Sequence, residues 1–273
     1  MQTIESVIAK KSCFEDQLIN SLHPIRYYAL AVTIYHLFQS KIYHDIAEGD
    51  VEIEHLAKHH GCDLNKLIGM LLYLQNEGIV LISENSVALT PQGQLLKDAE
   101  PWYTMLIGGY AETFHSIGEG LLKDAPHCSR NSAAVGIGSC GISYYDAIPL
   151  TKNLISYMEV PPKFLLDLGC GNAMYLTEFC KQYPTMYACG VEPSKKGYEE
   201  ALIHVAHHNM DDRIRLINMA AQEFINKNQD FAPDLLVIGF VLHEILGQDG
   251  EKGVIDFLTN IINKYPDLYL IVI

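Results

Sequence analysis

Long hydrophobic runs are missing from this sequence. The longest apolar stretches, FLLDLG and DLLVIGFVL, contain a charge or end within about nine residues, against the roughly 20 that a membrane span needs. The first residues, MQTIESVIAKKS, lack the apolar centre of a signal peptide. Basic residues are scarce: 19 Lys and Arg face 33 Asp and Glu, for a formal net charge of −14. Such a surface repels phosphate backbones, so neither nucleic acid nor a membrane is an expected partner. There is also no CxxC pair. The cysteines, Cys13, Cys62, Cys128, Cys140, Cys170, Cys180 and Cys189, are odd in number and scattered. That pattern excludes a disulfide framework and a thiolate zinc site, and fits reduced thiols in the cytoplasm.

What remains is a globular chain of 273 residues, 49% of them hydrophobic, long enough for two domains. Residues 14–39 have apolar spacing of three to four, with Pro24 as an expected interruption. The next segment parses as helix 51–60, a turn at Gly61, helix 63–76, a stop at Gly78, and strands 79–83 and 86–90. That order is a winged helix, and residues 1–100 form the first expected domain. In DNA readers the second helix is polar and basic. Here it is the apolar LNKLIGMLLYLQ, so a dimer or interdomain face is the expectation. Residues 101–150 follow as a helical linker and then a loop-rich stretch, 126–150, with several Gly and Ser. A loop of that length inside a compact domain is expected to act as a lid or substrate loop.

From 151 to 273 strands alternate with helices. FLLDLG, MYACGVE, IRLINM, DLLVIGF and LYLIVI read as strands, with helices at 172–182, 195–208, 222–228 and 250–264. Alternation of this kind predicts an α/β fold with a doubly wound, Rossmann-like parallel sheet. The apolar runs fit strands covered on both faces.

Ligands of such sheets bind outside the carboxyl ends of the strands. The first end reads LLDLGCGNA. Gly169 and Gly171 permit a tight turn and a close ligand approach. The following helix start suits a carboxylate, and Asp167 an ammonium group. Glu192, ending the second strand, stands about 20 residues after Gly171, the offset at which an acid takes a ribose diol. A dinucleotide fold wants a third glycine where GCGNAMY has Met174, which disfavours NAD. With this set of residues the chain resembles class I S-adenosylmethionine-dependent methyltransferases. Their first motif is matched by LDLGCGNA and their ribose-binding acid by Glu192. Gln222 in AQEF stands at the family's adenine-side acid, and Phe240 at the end of the fourth strand joins the implied cofactor residues. The winged helix extends the resemblance to small-molecule O-methyltransferases that dimerise through such a domain, which implies a homodimer here.

The fourth strand ends in GFVLHEILGQDG, which sends His243 and Glu244 to the cofactor's edge. In the O-methyltransferases a histidine at this place is a general base. GGYAETFHSIGEG, GIGSCGISYYDAIPL and VLHEILGQDG together more closely resemble α-keto acid C-methyltransferases, 2-ketoarginine methyltransferases in particular. That resemblance implies a zinc or iron ion, held by histidines, that polarises the keto acid. His243 falls on the matching motif as a metal ligand, while Tyr144 stands where a second histidine is sought. His115 and Tyr144 are the substrate-side candidates. Arg26 and Arg130 are candidates for a substrate carboxylate. The adjacent pairs His59–His60 and His207–His208 are expected to point apart on their helices, so shared metal ligation is not expected.

Class I sheets usually carry seven strands, and this sequence ends at a fifth. The expectation is a truncated chain or a second polypeptide that completes the sheet. Carbon methylation of an α-keto acid is the leading reading. An O-methyltransferase with His243 as base, a degenerate cofactor-binding dimer, and a cofactor-sensing winged-helix regulator are the alternatives.

Overall fold

The computed structural model describes residues 4–126, 128–227 and 232–273. The chain divides into two compact units, Met1–Ser139 and Cys140–Ile273. No helix among the described residues is long and apolar enough to cross a membrane.

The first unit opens with α1 (Ile4–Gln39), which continues through Pro24 without ending. Proline removes one helical hydrogen bond, and it does so here on a largely exposed stretch of the helix. Then come α2 (Ile42–Ala47), β1 (Val51–Glu52), α3 (Ile53–His59), α4 (Leu64–Asn76), β2 (Val80–Ser83) and β3 (Ser86–Leu89). Asp63 caps α4 by accepting from the Lys66 N–H at 3.0 Å, and Gly78 leaves it at φ +76°. The strands form a small antiparallel sheet in the order β1-β3-β2, with Val80 opposite Leu89. This is the winged-helix pattern expected from the sequence. Leu67, Leu71 and Leu74 of α4 are buried with Phe38, Tyr43 and Leu56. The apolar face of the second helix therefore serves the unit's own core, contrary to its reading as a dimer surface. A run of exposed apolar side chains lies on α1, where Phe14, Leu18, Ile19, Leu22, Ile25, Tyr27 and Tyr28 are all exposed.

After α5 (Pro91–Gln94) and α6 (Glu100–Tyr103), a π-helical turn at Thr104–Gly109 leads into α7 (Tyr110–Gly120). The stretch expected to be a loop, 126–150, is largely helical: α8 spans Ser132–Ser143 and α9 starts at Ala147 and ends at Ser156. Gly138 in it, and Gly109 against its Val135, serve close packing. A Cβ on Gly138 would lie 2.5 Å from Met105 Cβ, and one on Gly109 would lie 2.6 Å from Val135 Cγ2.

The second unit holds β4 (Phe164–Leu168), α10 (Met174–Gln182), β5 (Tyr187–Glu192), α11 (Lys195–His207), β6 (Ile214–Asn218), α12 (Ala221–Asn226), β7 (Leu235–Ile238), α13 (Leu242–Lys264) and β8 (Tyr269–Val272). All strands are parallel, in the order β6-β5-β4-β7-β8. Successive strand residues face opposite layers. Leu165, Leu235 and Val237 join Leu176, Phe179 and Val205 on one side. Leu166, Leu236 and Ile238 join Phe224, Phe257 and Ile261 on the other. The strand order reverses beside β4, so the crevice at the β4 and β7 ends is the place where such sheets take a ligand. Within α13 two helical segments meet at Gly250, whose φ of 69° and ψ of −173° are not helical; the second begins where the sequence places the helix 250–264, and a further helical segment from Leu242 precedes it.

Candidate active site

The turn after β4 is held by backbone geometry. Gly169 has φ +84° and Gly171 φ +53°, the left-handed region that glycine enters at little cost. The Gly169 and Cys170 N–H groups both donate to the Val191 carbonyl, at 2.8 and 3.1 Å, which ties the turn to β5. A Cβ on Gly169 would come within 2.3 Å of Val241 Cγ2. Val241 opens the segment that carries His243, so the glycine turn and that segment are in contact.

Glu192 ends β5 with 9% of its surface exposed. Its Oε2 accepts from the Gly171 N–H at 2.9 Å and its Oε1 from the Ser194 N–H at 2.8 Å. Gly197 leaves room for it, since a Cβ there would sit 3.1 Å from Glu192 Cγ. Asp167, on β4, is 3% exposed. Burial, with the Glu192 charge adding to it, pushes its carboxyl up to about 7. Two carboxyl groups in one nearly dry site call for a cation. The ammonium and sulfonium charges of S-adenosylmethionine meet that demand, so the residues present fit the donor.

Cys140 belongs to this site and was not singled out from the sequence. Its Sγ lies 3.7 Å from where a Gly171 Cβ would be, and burial pushes its thiol up to about 11. It is the cysteine of GIGSCG, hidden within the supposed loop. Tyr144, at the end of α8, is 44% exposed, and partial burial and the Glu178 charge raise its hydroxyl above the usual range.

His243 lies in the first turn of α13, 60% exposed, with its Nε2 3.3 Å from Glu244 Oε1. Phe240, just before it, takes φ +57°, its N–H donating to the Ile273 carbonyl at 3.1 Å. A non-glycine residue in that region is strained, and such strain persists only where its surroundings enforce it. Gln222 stands in the first turn of α12 and lines a cleft of about 170 Å³ with Asn226, Asp256 and Asn260. His115 lies in the first unit, its Nε2 3.1 Å from the Tyr28 hydroxyl, and so pins α7 to α1. Arg26 is clamped by Glu77 at 2.9 Å, leaving its guanidinium already matched to a carboxylate. As for a metal, His243 and Glu244 supply two donors, fewer than the three protein ligands of a catalytic zinc centre. Among the described residues, the group of three metal-capable side chains within 4.8 Å of one another lies elsewhere, at Asp45, His59 and His60.

No family model matches the chain. A relative, the 2-ketoarginine methyltransferase of Streptomyces arginensis, is 33% identical over 263 residues, covering 94% of this chain and 75% of the relative. The chain belongs to the 2-ketoarginine methyltransferase family. It is a methyltransferase of the S-adenosylmethionine-dependent class. Solved structures with the same fold include the mitomycin 7-O-methyltransferase MmcR, with TM-score 0.66 at 17% identity, covering 97% of this chain and 81% of that one. LaPhzM gives a TM-score of 0.67 at 17% identity over 94% of this chain and 80% of its own. CalO1, a methyltransferase of calicheamicin biosynthesis in its SAH-bound form, gives 0.60 at 17% identity over 100% of this chain and 80% of its own.

Proposed function

We propose that this protein methylates carbon 3 of an α-keto acid, 2-ketoarginine or a close analogue, using S-adenosylmethionine. The substrate class rests on the relative's name. The site reading rests on one observation: Val241 packs on Gly169, so the donor turn adjoins the segment bearing His243. In this reading Asp167 takes the donor's ammonium group. Gly169 and Gly171 shape the turn beneath its methionine moiety. Glu192 takes the ribose hydroxyls, with Gln222 and Phe240 on the adenine side.

His243 removes a proton from carbon 3, aided by the electron-withdrawing keto group, and Glu244 steadies the imidazolium that results. The enolate carbon attacks the sulfonium methyl. A carbon–carbon bond forms, the sulfur–methyl bond breaks, and neutral S-adenosylhomocysteine leaves. Tyr144 is placed on the substrate side. The reduced thiols suit a cytoplasmic setting.

We also propose a homodimer through α1, whose exposed large apolar side chains between Phe14 and Tyr28 make a face that a second copy covers. Light scattering on the purified chain is expected to give twice the chain mass, and Leu18→Glu with Leu22→Glu to give the monomer. A monomeric wild type at micromolar concentration would refute the dimer.

The test of the reaction is methyl transfer to 2-ketoarginine, to other 2-oxo acids and to a phenol, followed by mass spectrometry. Product one methyl heavier, with the methyl on carbon 3 of the 2-oxo acid, is the expected result. Methylation of the phenol alone would overturn the carbon-methylating reading.

A further inference from the structure

The first unit carries a cluster that the methyltransferase reading does not use. Asp45 lies on α2, His59 in the last turn of α3, and His60 just after it. Side by side in sequence, two histidines in a continuing helix would point apart. Here the helix ends: His60 leaves it at φ −92°, ψ 3°, and its ring turns toward α2. His60 Nε2 lies 2.8 Å from Asp45 Oδ2, with the His60 ring only 11% exposed. One ligand atom from each of Asp45, His59 and His60 lies within 4.8 Å of the others. The way α3 terminates thus brings ligand atoms of His59 and His60 near one another, where a continuing helix is expected to point them apart.

A second observation supports a ligand. His55 stands one helical turn before His59, and the two rings stack at 6.0 Å with 8° between their planes. His55 and His59 line a cavity of about 370 Å³ with Asp45, Glu48 and Asp50. Imidazole nitrogens thus meet carboxylate oxygens around an opening that solvent ions can enter.

We propose that Asp45, His59 and His60 bind a divalent transition-metal ion of the zinc class, with His55 within reach as a further donor. Two imidazoles and a carboxylate are a donor set for Zn²⁺ and its neighbours, and not for Mg²⁺ or Ca²⁺, which want oxygen alone. Ligand bonds of about 2.0–2.1 Å set tetrahedral ligand atoms about 3.3 Å apart. Asp45 and His60 must therefore open by about half an ångström, and the exposed His59 ring must swing in by no more than about 1.5 Å. The ion replaces the His60–Asp45 hydrogen bond and joins the end of α3 to α2. Its place is in the first unit's own framework, which it stabilises.

The test uses the full chain, freed of metal by a chelator. Zn²⁺ is titrated against a chromophoric competitor, and Co²⁺ is followed by its visible ligand-field absorption. One equivalent bound, a tetrahedral Co²⁺ spectrum and a raised melting temperature are expected. Mg²⁺ should do none of these. His59→Gln, His60→Gln and Asp45→Asn should each weaken Zn²⁺ binding at least about tenfold. The double variant His207→Gln, His208→Gln should bind like wild type. Asp45→Asn and His60→Gln also break a packing contact, so the wild-type Co²⁺ spectrum stands as a test on its own. A spectrum no different from aqueous Co²⁺ at equimolar metal overturns the proposal. So does Zn²⁺ binding that survives all three substitutions, or that is lost in the His207, His208 double variant.

Discussion

Two turns meet where Val241 packs on Gly169, and they are built in opposite ways. The turn after β4 is fixed by two left-handed glycines, by paired N–H donors on the Val191 carbonyl, and by a carboxylate that binds across it. Its acids, Asp167 and Glu192, are nearly buried. The turn after β7 holds one strained residue, Phe240, and then puts His243 out into solvent. In the proposed reading the difference matches two tasks, donor binding and proton removal. A donor that stays the same for every substrate is held by a rigid, prearranged pocket. A proton acceptor must reach whichever acceptor molecule arrives, so it stands at the open end.

The comparison fails if His243 proves part of the donor pocket. His243→Ala is expected to lower the rate of methyl transfer by about 100- to 10,000-fold, the range for a general base. S-adenosylhomocysteine affinity, measured by calorimetry, should stay within about twofold, a margin small against one kcal/mol. A rate unchanged at saturating substrates would remove His243 from the chemistry.

A next smaller effect concerns the rigid turn. Gly169→Ala forces a side chain into φ +84° and against Val241, which should cost about 2–4 kcal/mol of stability. Chemical denaturation measures it. A variant as stable as wild type would show that the turn is looser than described.

Asp167 sharpens the comparison through pH. Its carboxyl is raised from 3.8 to about 7, so the folded apo chain holds this proton more tightly than the unfolded chain. Its contribution to stability is full below about 4 and is lost as pH rises through about 7. Asp167→Asn should remove that loss. The melting temperature of the variant minus that of wild type should climb from pH 4 to 7 and then level off. Melting curves whose difference is flat across that range would contradict the assigned burial cost.

Much of the second unit was legible because its code is local. Apolar runs such as LLVI fixed strands covered on both faces, and GCG after a strand fixed the turn. Glu192 was placed by spacing alone. What stayed hidden depends on tertiary contact. In VGIGSCG of α8, read as loop, Gly138 is a small residue that admits Met105. Cys140 beside Gly171, the strain at Phe240 and the meeting of Asp45 with His60 have no local signature. The apolar α4 was read correctly as needing burial, but the unit's own core supplies it. Gly250 did mark a helix start, but the helical segment from Leu242 that carries His243 ahead of it was not read from the sequence.

The central claim is that the buried acid pair and glycine turn form the donor pocket. Calorimetric titration of S-adenosylmethionine into wild type and Glu192→Ala tests it most directly. One site per chain is expected, weakened in the variant by about 1–3 kcal/mol as the ribose hydroxyls lose their partner. No heat from a folded wild-type chain, or equal affinity in the two proteins, would contradict it.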